Sequence, residues 1–132
     1  MIETKEISKT LFEIKGLTNS GKTTLLCEEI KKRNLKTLVI FTEGKKPQLE
    51  NITAFTLVDS VEEAEAFIEK ESGFDMVAID NFSNLLVKSA EDCSGLSAYK
   101  IRKNFLEKLS EKYSVVYTAN LIRICFIKGS EV

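Results

Sequence analysis

A chain of 132 residues, 43% hydrophobic and 30% charged, with one proline and six glycines, has the make-up of one globular domain spanning 1–132. That composition excludes a disordered tail, a collagen-like repeat and a low-complexity linker. With 19 basic residues against 20 acidic ones the formal net charge is −1, so a general electrostatic affinity for nucleic acid or anionic membrane is not implied.

The predicted elements alternate between strand and helix. Leu11 to Lys15 reads as a first strand. Residues 22 to 33 read as a helix with Leu26, Cys27 and Ile30 on one face; Lys31, Lys32 and Arg33 in its last turn complement the helix dipole. Lys36 to Thr42 is a β-branched apolar run of the kind buried on both faces of a sheet. Gly44 and Pro47 break the chain before a third strand at Ile52 to Val58. Ser60 and Glu63 form a capping box ahead of a helix carrying Val61, Ala64, Phe67 and Ile68, which Gly73 is expected to end. Phe74 to Asp80 is a fourth strand, Glu91 to Ser97 a loop, and 98 to 112 an amphipathic helix with Ile101, Phe105, Leu106 and Leu109 inward. Ser114 to Asn120 is a fifth strand and Ile122 to Lys128 a candidate sixth. The expected fold is α/β, a mainly parallel sheet with helices on both faces.

No apolar run approaches the length that crosses a bilayer, and the charged start Met1 to Glu6 lacks the apolar core of a signal peptide. Cys27, Cys93 and Cys125 are widely spaced, without metal-finger spacing, and read as reduced thiols of a cytoplasmic protein; Cys27 and Cys125 fall in apolar stretches and are expected in the core. There is no histidine, which excludes Ser-His pairs, histidine general bases and histidine metal sites.

One stretch carries chemistry. Gly16-Leu17-Thr18-Asn19-Ser20-Gly21-Lys22-Thr23 fits G-x-x-x-x-G-K-[ST], the phosphate-binding loop, with Thr24 following it. Glycines at both ends let the backbone curl so that successive N–H groups converge on phosphate oxygens. Lys22 can reach the terminal phosphates as a mobile point charge, Thr23 can ligate Mg²⁺, and the helix that starts near Lys22 adds its positive end. Four constrained positions arise by accident in on the order of one chain in a few hundred of this length. An apolar strand entering the loop and an amphipathic helix leaving it sharpen the match. The second element is Met76-Val77-Ala78-Ile79-Asp80, an apolar strand ending in the carboxylate expected of a Walker B partner, which holds a water on Mg²⁺. Two strands separate the loop from Asp80, which favours the P-loop division whose sheet carries an inserted strand.

From about residue 10 to 121 the chain resembles the RecA/RadA/RadB family of recombination ATPases and their KaiC-like relatives, as a reduced member. The resemblance rests on the loop, on Leu38-Val-Ile-Phe-Thr-Glu-Gly44, on the Asp80 strand and on Val115-Val-Tyr-Thr-Ala-Asn120, in that order. It implies a three-layer, RecA-like P-loop NTPase fold, ATP and Mg²⁺ as ligands, and DNA repair or recombination as the setting. It also implies RecA-like subunits of the same or another chain as partners. By the same resemblance Glu43 is the general base that polarises water, which agrees with a carboxylate at a strand's C-terminal end. Asn120 falls where the family senses the terminal phosphate. No long glycine-rich or basic loop follows Asn120, which weighs against strand exchange on DNA, and only about fifteen residues precede Gly16.

Weaker features read more plainly. Lys45 and Lys46 are weighed as a solvated loop against a contact to phosphate or a neighbouring subunit. Arg102 and Arg123 are weighed as surface residues against arginine fingers, and Phe74 and Phe82 as packing residues. Two other classes stand beside the ATPase: a nucleotide-occupied assembly module with little turnover, and a small nucleotide or metabolite kinase. No N/T-K-x-D motif for reading guanine is present.

Overall fold

The two most apolar runs of the sequence, Thr37–Phe41 and Met76–Asp80, are buried at every position and lie side by side in the middle of a sheet. The computed structural model describes residues 2–90 and 95–121. Among these residues six strands, Ile2–Ser8 (β1), Leu11–Gly16 (β2), Thr37–Phe41 (β3), Ile52–Leu57 (β4), Met76–Asp80 (β5) and Ser114–Asn120 (β6), pair in the order β1-β2-β6-β5-β3-β4. Every pairing is parallel except that of β1 with β2. The strand carrying the loop and the strand carrying Asp80 are therefore not neighbours. A strand from later in the chain, β6, is inserted between them.

Alternation along each strand divides the core in two. Ile14, Val39, Phe41, Met76, Ala78 and Val116 face Leu26 and Ile30 of the helix Lys22–Arg33 (α1). Leu38, Ile40, Val77, Ile79, Val115 and Tyr117 face the opposite way, against Val61 and Ala64 of Val61–Lys70 (α2) and Ala98, Phe105, Leu106 and Leu109 of Leu96–Lys112 (α3). Each fully buried Leu, Ile or Val adds about 1.5–3 kcal/mol relative to exposure, so strands buried on both faces stabilise the centre most. The architecture is α/β with helices on both faces, as expected.

Differences from the sequence expectation are local. β1 escaped prediction because its pattern, with Glu3, Lys5 and Glu6 exposed, has no buried face to betray it. α3 starts at Leu96 rather than 98, so the expected loop at 91–97 loses its last two residues to the helix. Gly73 does not end α2: Glu71 leaves the helix in an extended conformation, and Gly73, at φ +78°, supplies the left-handed turn that follows. In the capping box Ser60 accepts the Glu63 N–H at 3.2 Å, but the Glu63 carboxylate reaches one residue further back, to the N–H of Asp59 at 2.9 Å. The candidate strand at Ile122 to Lys128, with Cys93, Cys125 and Arg123, lies outside the described residues. Among the described residues no helix is long and apolar enough to cross a membrane.

Candidate phosphate-binding site

The loop predicted from the sequence is a tight turn between the end of β2 at Gly16 and the start of α1 at Lys22. Ser20 N–H donates to the Leu17 carbonyl at 3.1 Å. Two residues take the left-handed region, Asn19 at φ 63° and Gly21 at φ 96°. A Cβ on Gly21 would find only Ile2 Cδ1 at 3.8 Å, an ordinary contact, so the dihedral and not space selects glycine there. Gly21 is also the N-cap of α1, with no side-chain cap and no acidic residue in the first turn. Among the described residues, the N–H groups of Gly21, Lys22, Thr23 and Thr24 find no protein acceptor; the first satisfied one is that of Leu25, on the Gly21 carbonyl at 3.1 Å. Four free donors at the positive end of a helix dipole form an anion seat.

The Lys22 side chain folds back across this turn. Its Nζ donates to the Gly16 and Leu17 carbonyls at 3.0 and 2.9 Å, and the residue is only 7% exposed. An ammonium has three donors, so one remains for a ligand. Ser20 Oγ is buried and, among the described residues, has no hydrogen-bond partner. An orphaned hydroxyl in such a place asks for an acceptor that the protein does not supply.

Asp80 ends β5 next to the loop and is 8% exposed. Both carboxylate oxygens are engaged by hydroxyls: Thr23 Oγ1 donates to Oδ2 at 2.6 Å and Thr118 Oγ1 to Oδ1 at 2.5 Å. Burial, and then the Asp80 charge, push the thiol of half-buried Cys27 upward, so it stays neutral beside the site. Cys27 is thus not the full core residue the sequence suggested. Among the described residues no three His, Cys, Asp or Glu side chains gather into a metal cage. A cation here would rest on Thr23 and Asp80 together with ligand and water oxygens, the pattern that suits Mg²⁺.

The C-terminal ends of β2, β3, β5 and β6 open together onto a cleft of about 560 Å³, where ligands of parallel sheets bind. The loop from Thr18 through Thr24 lines one wall, and Glu43, Asp80 and Asn120 face it. Gly16 and Leu17 enter through their carbonyls, which hold Lys22. Every other sequence-predicted site residue thus borders one cavity. Glu43 is exposed at the end of β3. Of the weaker candidates, Lys45 also lines the cleft, while Arg102 lies beside a second cavity and donates to the Leu85 carbonyl at 3.3 Å. Arg33 pairs with Glu29 and stacks over Phe12. Phe74 packs on Tyr113 and Phe82 on Tyr117, as packing residues.

Sequence reasoning missed Thr118, Asn81 and Asn84. Thr118 is fully buried within a strand that reads as ordinary core, and only its bond to Asp80 distinguishes it. Asn81 follows Asp80 directly, and that adjacency was the one available signal. Compared with models of known protein families and with curated proteins, the sequence matches none of them.

Proposed function

We propose that this chain is a RecA-like P-loop protein that binds Mg·ATP and hydrolyses it, serving DNA repair or recombination as an accessory factor. The single observation that carries the nucleotide reading is the loop itself. Four free N–H donors, an orphaned buried Ser20 hydroxyl and a Lys22 ammonium with one donor to spare converge where a helix begins. A chain of phosphates satisfies all of them at once. The insertion of β6 between β2 and β5 supports placement among P-loop proteins with an inserted strand. The setting in repair or recombination rests on the resemblance alone.

The residues present fit the ligand. The N–H groups of Gly21 to Thr24 and Lys22 Nζ would hold the phosphates. Thr23 and Asp80, already 2.6 Å apart, would flank Mg²⁺. When bound, the cation neutralises the charge on the phosphate oxygens. Glu43, exposed to solvent at the cleft edge, would accept a proton from an attacking water. Asn120 would offer an amide to the terminal phosphate. A second reading, a nucleotide-occupied assembly module, is favoured by the exposure of Glu43, because among the described residues no hydrogen bond or ion pair holds its carboxylate.

Calorimetric titration of Mg·ATP into the protein and its Lys22→Ala variant tests the reading. Binding at one site is expected in the first and a loss of about a hundredfold or more in the second, since the lysine both charges and braces the loop. Silence in both, or equal binding in both, overturns it.

A further inference from the structure

Beside the cleft, three residues close a ring of hydrogen bonds through side chains and backbone N–H groups. Ser83 N–H donates to Asn81 Oδ1 at 2.9 Å, Asn81 Nδ2 donates to Asn120 Oδ1 at 2.7 Å, and Asn120 N–H donates to Ser83 Oγ at 2.9 Å. The polarity of this ring is fixed from one end. A backbone N–H can only donate, so the Asn81 oxygen must face Ser83. The Asn81 amide nitrogen is then the group that meets Asn120, and it too can only donate. Asn120 must answer with its oxygen. Its own NH₂ is left over, with no acceptor among the described residues, on a side chain that borders the cleft.

From this ring we infer that Asn81 is a positioning residue. It sets the Asn120 carboxamide so that an N–H, and not the carbonyl oxygen, is presented to the terminal phosphate of a bound nucleoside triphosphate. The inference rests on the nucleotide reading above and deepens it: it names what would make this cleft distinguish a triphosphate from a diphosphate. A free asparagine would rotate its amide to show either end, and the oxygen end repels phosphate. Asn81 removes that choice. The other anchors of Asn81 explain why it can do so. Its N–H donates to Thr42 Oγ1 at 3.2 Å, and its oxygen caps the 3₁₀ turn Phe82–Asn84. The donor is therefore rigid before any ligand arrives, and its effect on Asn120 carries no added ordering cost at binding.

Asn81→Asp is the informative change. The aspartate keeps the oxygen that caps Ser83, so the turn stays formed, but it has no donor for Asn120. Asn120 then has to turn its NH₂ toward the new carboxylate and show its oxygen to the cleft. The affinities of ADP and of a non-hydrolysable ATP analogue, both with Mg²⁺, are measured for the wild-type chain, Asn81→Asp, Asn120→Ala and the double variant. The wild-type chain is expected to prefer the triphosphate. Asn81→Asp is expected to lose about tenfold of that preference, the scale of one hydrogen bond to a charged group, with the thermal midpoint nearly unchanged; the new charge borders the cleft and acts on both nucleotides, so the ratio of their affinities is what reads the turned amide. In the Asn120→Ala background the same change is expected to cost nothing further, because there is no amide left to turn.

Outcomes separate cleanly. If the wild-type chain binds neither nucleotide, the nucleotide reading itself falls, and this inference with it. If it binds both equally, the nucleotide reading stands and this inference is overturned. If Asn81→Asp keeps the preference, or loses it equally with and without the Asn120 side chain, the new carboxylate acts only as a charge and the positioning role is overturned.

Discussion

Thr118 gives its hydroxyl to Asp80 Oδ1 at 2.5 Å from the middle layer of the sheet, where it is fully buried. The partner oxygen is held by Thr23 at 2.6 Å. Thr118 belongs to β6 and Thr23 to α1, so the carboxylate is clamped from the inserted strand on one side and from the loop helix on the other.

Replacing Thr118 by valine keeps the shape and removes the hydroxyl. A buried hydrogen bond to a charged group is worth about 1.5–3 kcal/mol, so the urea midpoint of Thr118→Val is expected to fall accordingly. The Mg²⁺ concentration needed for half-maximal nucleotide binding is expected to rise several-fold, because Asp80 is then held from one side only. An unchanged Mg²⁺ requirement would show that Thr118 matters to folding alone.

Glu43→Gln separates turnover from assembly. General-base help contributes typically 10²–10⁴-fold, so ATP hydrolysis should drop by about a hundred or more while the nucleotide-induced rise in melting temperature stays. A rate equal to that of the parent chain would favour the assembly module, because the carboxylate would then have no part in turnover.

Gly21→Ala isolates the conformation of the loop. A Cβ meets nothing closer than Ile2 Cδ1 at 3.8 Å, so no clash is expected. The φ of 96° is what opposes an L side chain, at roughly 1–2 kcal/mol. Chemical denaturation should show that loss, and nucleotide affinity should fall with it if the loop relaxes to escape the strain. Full stability in the alanine variant would mean that the turn can be remade without a left-handed residue.

Acid should loosen the clasp between α2 and the segment after the 3₁₀ turn. Glu62 accepts from the Lys88 N–H at 2.9 Å and from the Ser89 hydroxyl and N–H at 2.7 and 3.1 Å. Desolvation pushes its carboxyl up, but these hydrogen bonds outweigh it and hold the pKa at about 2 rather than 4.5. A carboxyl lowered by folding stabilises the fold above its unfolded pKa. That contribution fades as pH falls from 4.5 toward 2. Denaturation midpoints across this window should slope downward, and Glu62→Gln should flatten the slope. The carboxylate is near the surface, so solvent screening keeps the effect modest.

The sequence made the helix α1 and the strand β6 legible to the residue, because sharp signals bound them: the loop glycines and cationic last turn for one, a β-branched run for the other. It made the loop legible because its chemistry demands particular residue types at fixed spacing. Thr118 was hidden because a threonine in a buried strand looks like any β-former until its hydroxyl is seen on Asp80. Asn81 was hidden for a different reason. Its value lies in the polarity of a three-residue ring whose members are brought together from two separate strand ends, and spacing along the chain does not encode that. β1 was missed because a strand needs neither an apolar face nor burial when one neighbour supplies its ladder.

The two margins of the sheet are unequally guarded. Among the described residues β1 pairs only with β2 and sets the charged side chains Glu3, Lys5 and Glu6 along its rim, where a visiting strand would have to strip them of water. β4 closes the other margin with Ile52-Thr-Ala-Phe-Thr-Leu57, uncharged and ending in a leucine that is 52% exposed. Stray β-aggregation of this chain should therefore begin at Ile52–Leu57, and a lysine on that rim is the simplest way to keep concentrated solutions clear.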